Sequence, residues 1–204
     1  MSRTAQMMSQ AAAFGLAVGL MPAAPALAAD VDGNYSVRGV GSQSCSDFIA
    51  AVQEDRANAQ PYVGWLGGYV TGLNRQLEDT FDLSYVLNTE HLGELVARLC
   101  AQEPEMLFET AAARIGNFMH EHRVRQASEI IQVSMDDQQV TLREDVLERF
   151  IARLADLGYL DSADTEFDET VGTAIASFQT DNELTETGLP DVFTLVTAFD
   201  SADD

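Results

Sequence analysis

Two of the chain's three histidines form His120-Glu121-His122, the arrangement nearest to a metal motif. Imidazoles two residues apart on a helix point to different sides, whereas the HExxH spacing puts both ligands on one face. Solvated side chains at a helix end, beside Arg123, are therefore expected, and His91 stands alone. A second candidate is acidic: Asp161, Asp164, Glu166, Asp168 and Glu169 fall in one short stretch. A calcium loop needs oxygen ligands at fixed positions and a glycine at its sharp turn. Here Ala163 and Thr165 stand at ligand positions and Glu166 at the turn, so a solvated loop is expected. Paired carboxylates can hydrolyse glycosides, but 33 acids in 204 residues supply carboxylates everywhere and position none of them. Catalysis needs a positioned nucleophile, acid or metal, and none is legible. The expectation is a non-enzymatic protein with no cofactor and no metal.

The elements that would position any site are helical. Leu147, Phe150, Leu154 and Leu157 recur at intervals of four and three, one apolar face of a helix. Gly158 follows as a left-handed stop. Thr170 is a candidate cap for a second helix burying Ala174, Ile175 and Phe178. Asp191 opens a third segment, with Leu195, Val196 and Phe199 facing inward. Three short helices around one small core account for residues 140–200.

In the same stretch Gly158-Tyr159-Leu160, Asp164, Phe167, Ala174-Ile175, Phe178-Gln179, Leu184, Gly188 and Thr194-Leu195 follow in order. This set resembles the peptidoglycan-binding-like domain, a three-helix module of secreted cell-wall proteins. Phe167 stands where the family has the Phe of its D-G-x-F-G turn, and Phe178-Gln179 where it has its F-Q pair. Thr165 and Asp168 replace the two turn glycines, Val171 replaces the helix-opening Thr, and Ile151 replaces the first-helix Gln. The resemblance implies peptidoglycan as ligand. Tyr159, Gln179 and Asn182 are then the candidate binding residues, offering stacking and amide hydrogen bonds to glycan or stem peptide. The alternative is that Tyr159 and Gln179 only brace the fold.

Residues 1–28 read as a cleaved signal peptide. Arg3 supplies the positive end, Ala11 to Met21 an apolar core too short to span a bilayer comfortably, and Ala26-Leu27-Ala28 the small residues of a cleavage site. An exported, periplasmic protein without a membrane anchor is expected. Without those residues, ten arginines face 33 acids and the net charge is -23; lysine is absent. Such a charge repels nucleic acid, phosphate-rich lipid and anionic wall polymers. Any wall contact must then come from local shape and hydrogen bonding.

Residues 43–124 read as a four-helix domain, and 125–139 as a linker holding an extended piece at Ile130, Ile131 and Val133. Ser44 with Asp47 makes a capping pattern for the first helix. Pro61 suits the first turn of the second, and the fourth starts near Pro104. Gly64, Gly68 and Gly72 line one side of the second helix, for close helix packing or a small-molecule groove beside Trp65 and Tyr69. Cys45 and Cys100 form one disulfide in an oxidising compartment; buried thiols or an intermolecular bridge are the alternatives. Cys45-Ser46-Asp47-Phe48, the glycine-rich helix and Leu99-Cys100 resemble small two-cysteine periplasmic helical domains, such as acid-stress chaperones and type VI secretion immunity proteins. That resemblance implies a module binding a periplasmic protein partner. The fold class is thus all-α: a disulfide-linked four-helix domain followed by a three-helix peptidoglycan-binding-like domain. The expected function is peptidoglycan binding by the second domain, which positions the first at the wall. The alternative is a chaperone or immunity-type factor with a degenerate wall-binding module.

Overall fold

Ser44 opens the first helix with a reciprocal cap. Its hydroxyl accepts from the Asp47 amide at 3.2 Å, and the Asp47 carboxylate accepts from the Ser44 amide at 3.0 Å. The capping box expected from the sequence is therefore formed, closing amide donors that a helix start leaves open. The computed structural model describes residues 30, 32–163 and 166–200. The leader expected at 1–28 lies outside them, as do Asp164, Thr165 and residues 201–204.

The chain divides into two units, Met1–Ser36 and Val37–Asp204. In the first, the Asp30 carboxylate accepts from the amides of Asn34 (2.8 Å) and Asp32 (3.0 Å), which holds its pKa below the usual range.

The second unit begins with a 3-10 turn, Gly39–Ser42. Helices α1 (Cys45–Glu54), α2 (Arg56–Asn74), α3 (Thr89–Gln102) and α4 (Phe108–Met119) follow. A hairpin of β1 (Ile130–Met135) and β2 (Gln138–Arg143) leads into α5 (Glu144–Asp156), α6 (Glu169–Asp181) and α7 (Val192–Asp200). None of the described helices is long and apolar enough to cross a membrane. Cys45 and Cys100 are bonded, tying the start of α1 to the last turn of α3. Beside the bridge, the rings of Phe48, Tyr62 and Phe108 meet at centroid distances of 4.7–5.0 Å.

Four expectations change. The all-α reading is corrected by the hairpin, paired antiparallel from Ile130 with Arg143 to Met135 with Gln138. Ile131, Val133 and Met135 alternate with exposed neighbours, as do Val140 and Leu142, so one face of each strand joins the core. Second, Asp55 caps α2 by accepting from the Asn58 amide at 2.9 Å. The helix therefore starts before Pro61, which sits inside it. Third, α4 starts at Phe108 and not near Pro104. The carbonyls of Pro104 and Met106 accept from Ser46 and Cys45, so this loop serves the open end of α1 and cannot itself be helical. Fourth, Cβ atoms built at Gly64, Gly68 and Gly72 would meet nothing within 4 Å, so no helix packs on that stripe. Close approach occurs instead at Gly41, where a Cβ would lie 2.3 Å from the Trp65 ring. Trp65 stacks on Tyr69 and donates to the Arg38 carbonyl, so the turn at Gly39–Ser42 covers the ring and fills the space of the alternative, a groove.

Helix α7 is packed against the segments that join α2 to α3 and follow α4. The Phe199 ring lies 4.9 Å from His122 and 5.1 Å from Tyr85. Arg149 of α5 donates to the His122 carbonyl at 2.8 Å. Tyr85 is 1% exposed, and burial raises its phenol far above the usual range, so it stays neutral. His122 is half-buried and not the solvated side chain expected, whereas His120 is exposed.

Two predictions follow from this packing. Replacing Cys45 and Cys100 together by serine opens a loop of more than fifty residues. It should lower the unfolding free energy by about 4 kcal/mol, read by denaturant titration. Burial, then Arg149, lowers the His122 pKa against an opposing contribution from Glu121 and the Phe199 carbonyl. The unfolded chain therefore takes up this proton first, near its ordinary value of about 6.5. Stability should fall as pH drops below that value and level off beneath the folded pKa. His122→Phe should flatten this step below about pH 6.5.

Candidate functional site

Helix α5 ends because Gly158 adopts φ +83. Its amide bonds to the Ala155 carbonyl at 3.0 Å, and the Tyr159 amide to the Leu154 carbonyl at 2.8 Å. These are the paired bonds of a Schellman stop, which a residue without Cβ makes at least cost. The stop turns Tyr159 onto α6, where its ring meets Phe178 edge-on at 5.3 Å and its hydroxyl donates to Asp181 at 3.0 Å. Partial burial and that carboxylate raise the phenol pKa, keeping the ring neutral.

Helix α6 is opened by Asp168, whose carboxylate accepts from the Val171 amide at 2.9 Å. Thr170, expected as the cap, lies inside the helix. Asp168 thus replaces a turn glycine with a capping residue, so it is engaged in the fold. Thr170, Thr173 and Ser177 then recur along one exposed face of α6. Thr173 and Ser177 donate to the carbonyls of Glu169 and Thr173 at 2.9 and 3.0 Å, which leaves their oxygens turned outward as acceptors. With Gly158, Tyr159, Leu160 and Asp161 they line an open groove of about 520 Å³.

Gln179 is not in that groove. It is 0% exposed, and its amide is fully engaged. Its oxygen accepts from the amides of Thr187 (2.8 Å) and Gly188 (2.9 Å). Its nitrogen lies within 3.0 Å of Thr194 Oγ1, Thr187 Oγ1 and the Leu189 carbonyl. A side-chain amide has two N–H groups and two oxygen lone pairs, so nothing remains for a ligand. Of the two readings of Gln179, these bonds support the brace. Gly188 is bound into the same turn: at φ +65, a Cβ there would approach the Gly172 carbonyl to 3.1 Å. Asn182 caps α6, its side chain donating to the Phe178 carbonyl at 2.8 Å. It too lies outside the Tyr159 groove.

The residues that carried the sequence resemblance therefore hold one another, Gln179 to Gly188 and Thr194 above all. Residues 149–197 match the family described as "Putative peptidoglycan binding domain". No curated protein and no solved structure matches the chain.

Of the three candidate residues of this matched segment, the structure places Tyr159 alone in its groove. The sequence reading missed Thr170, Thr173, Ser177 and Asp181. Hydroxyls at helical intervals on the polar face of α6 were the available signal. Among the described residues no group of three histidine, cysteine or acidic side chains gathers as metal ligands do.

Gln179→Ala strands the buried Gly188 amide and the half-buried Thr187 amide while removing their acceptor. It should cost about 3 kcal/mol of stability, seen as a lower denaturation midpoint with an unchanged slope.

Proposed function

We propose that this is an exported, non-catalytic periplasmic protein that binds peptidoglycan through its C-terminal module. The module holds the disulfide-linked helices α1–α4 at the wall, where they meet a periplasmic protein partner. The observation that carries this reading is the family match at residues 149–197. The site it points to is the Tyr159 groove. A neutral aromatic ring beside a row of hydroxyl acceptors suits a sugar or amide surface, which offers apolar C–H faces and many donors. A net charge of -22 leaves no bulk attraction to an anionic polymer. Binding must then rest on short-range contacts and depend little on salt.

Co-sedimentation of the full chain with purified sacculi tests the reading. The protein should pellet, soluble wall fragments should compete, and the pelleted fraction should change little with salt. Tyr159→Ala should weaken pelleting about fivefold with the melting temperature largely kept. Loss of both together would make Tyr159 a brace, and failure to pellet across pH and salt would remove the wall from the account.

A further inference from the structure

A second concavity lies away from the Tyr159 groove. It is a cleft of about 610 Å³ between α3, β2, the loop after α6 and the start of α7. This size falls in the range of small-ligand sites. One wall belongs to α3 and the segment before it, and the other to the chain that follows β1.

The charges in the cleft are sparse and separated. His91, Glu94 and Arg98 line it from one face of α3, at intervals of three and four. Glu94 stands four residues before Arg98, the favourable order for a helical ion pair, yet no such pair forms. The Arg98 guanidinium lies instead over the Phe193 ring of α7, 3.3 Å from its centroid. Arg98 is exposed and is the only arginine among the lining residues. Stacked in this way, its flat face is occupied while its N–H edge stays open to a carboxylate.

The acids of the cleft differ in availability. Asp191 is engaged, accepting from the amides of Phe193 (3.1 Å) and Thr194 (3.0 Å) at the start of α7. Glu94 and Glu183 have no ion-pair partner among the described residues. Glu183 occupies the left-handed stop of α6 at φ 57, a position where glycine costs less. Gln139 and Thr141 of β2 add amide and hydroxyl groups to the wall.

We propose that this cleft binds a short zwitterionic peptide, its carboxylate on Arg98 and its amino group on Glu94 or Glu183. Resting on the wall reading above, we identify that peptide as the peptide stem of peptidoglycan. Recognition is then divided, sugar at Tyr159 and peptide between α3 and α7. The second site exists only while the module is docked on the helical half.

Calorimetric titration of the full chain with a free stem tetrapeptide, and with glycan strands stripped of peptide, tests the assignment. The tetrapeptide should bind saturably, and Arg98→Ala should weaken it about tenfold. Arg98→Lys should recover only part of the loss, because an ammonium cannot present two parallel N–H groups. Glu183→Gln should also weaken the peptide, while affinity for stripped glycan stays unchanged in all three variants. If the protein pellets with sacculi but the tetrapeptide fails to bind, or binds Arg98→Ala as tightly, the cleft assignment falls and the wall reading stands. If the protein neither pellets with sacculi nor binds the tetrapeptide, both fall.

Discussion

The buried amide of Gln179 is the constraint on which the C-terminal module depends. Residues 183–191 connect α6 to α7 without regular structure, so their backbone groups have no ladder or helix to satisfy them. One side chain supplies much of what is missing, accepting from Thr187 and Gly188 and donating toward Leu189 and Thr194, with Thr187 and Asp191 capping the rest. Inside a protein, unpaired polar groups are costly and paired ones are strengthened by the low dielectric. The loop is therefore fixed in one shape, and α7 leaves it in one direction.

That direction decides how the chain's parts meet. Once placed, α7 sets Phe193 beneath Arg98 and Phe199 among Tyr85, His122 and Phe150. The apolar core runs without a break from the Cys45–Cys100 bridge to Phe199. β2 passes directly into α5, so the hairpin is part of the packed body and no flexible tether separates the two ends. A module that elsewhere could be a detachable tag is here one wall of a larger surface.

Charge sharpens the chemistry of that surface. With eleven basic and 33 acidic residues, each arginine has many carboxylates to choose from. Arg56, Arg114, Arg123, Arg125 and Arg149 are all paired. Arg98 and Arg143 lie instead over the rings of Phe193 and Phe81, and at Arg98 a suitably spaced acid, Glu94, is left unpaired beside it. There packing has chosen the side chain's direction and left its charge available.

Much was legible without coordinates. The Ser44 cap, the Gly158 stop, the Asp191 cap and the apolar stripe of α5 are local signals, each decided within a few residues by backbone geometry and hydrogen bonding. The cysteine pairing and the resemblance carried by Phe178-Gln179, Gly188 and Thr194 were equally open to reading. The hairpin was half visible, because its second strand runs into a helix with no glycine or proline to mark the change. The start of α4 was hidden because its loop bonds to a helix sixty residues earlier, a partner that no local pattern announces. The two readings of Gln179, ligand contact or brace, could not be separated for the same reason: an amide looks alike whether it faces water or a buried loop. By itself the sequence determined the helices, the bridge and the family of the C-terminal module, all of which rest on short-range order. Only the tertiary structure decided which of Tyr159, Gln179 and Asn182 lines a groove, and that Arg98 meets Phe193 almost a hundred residues away. Burial and direction are properties of what packs on a residue, and the chain brings those partners together only when it folds.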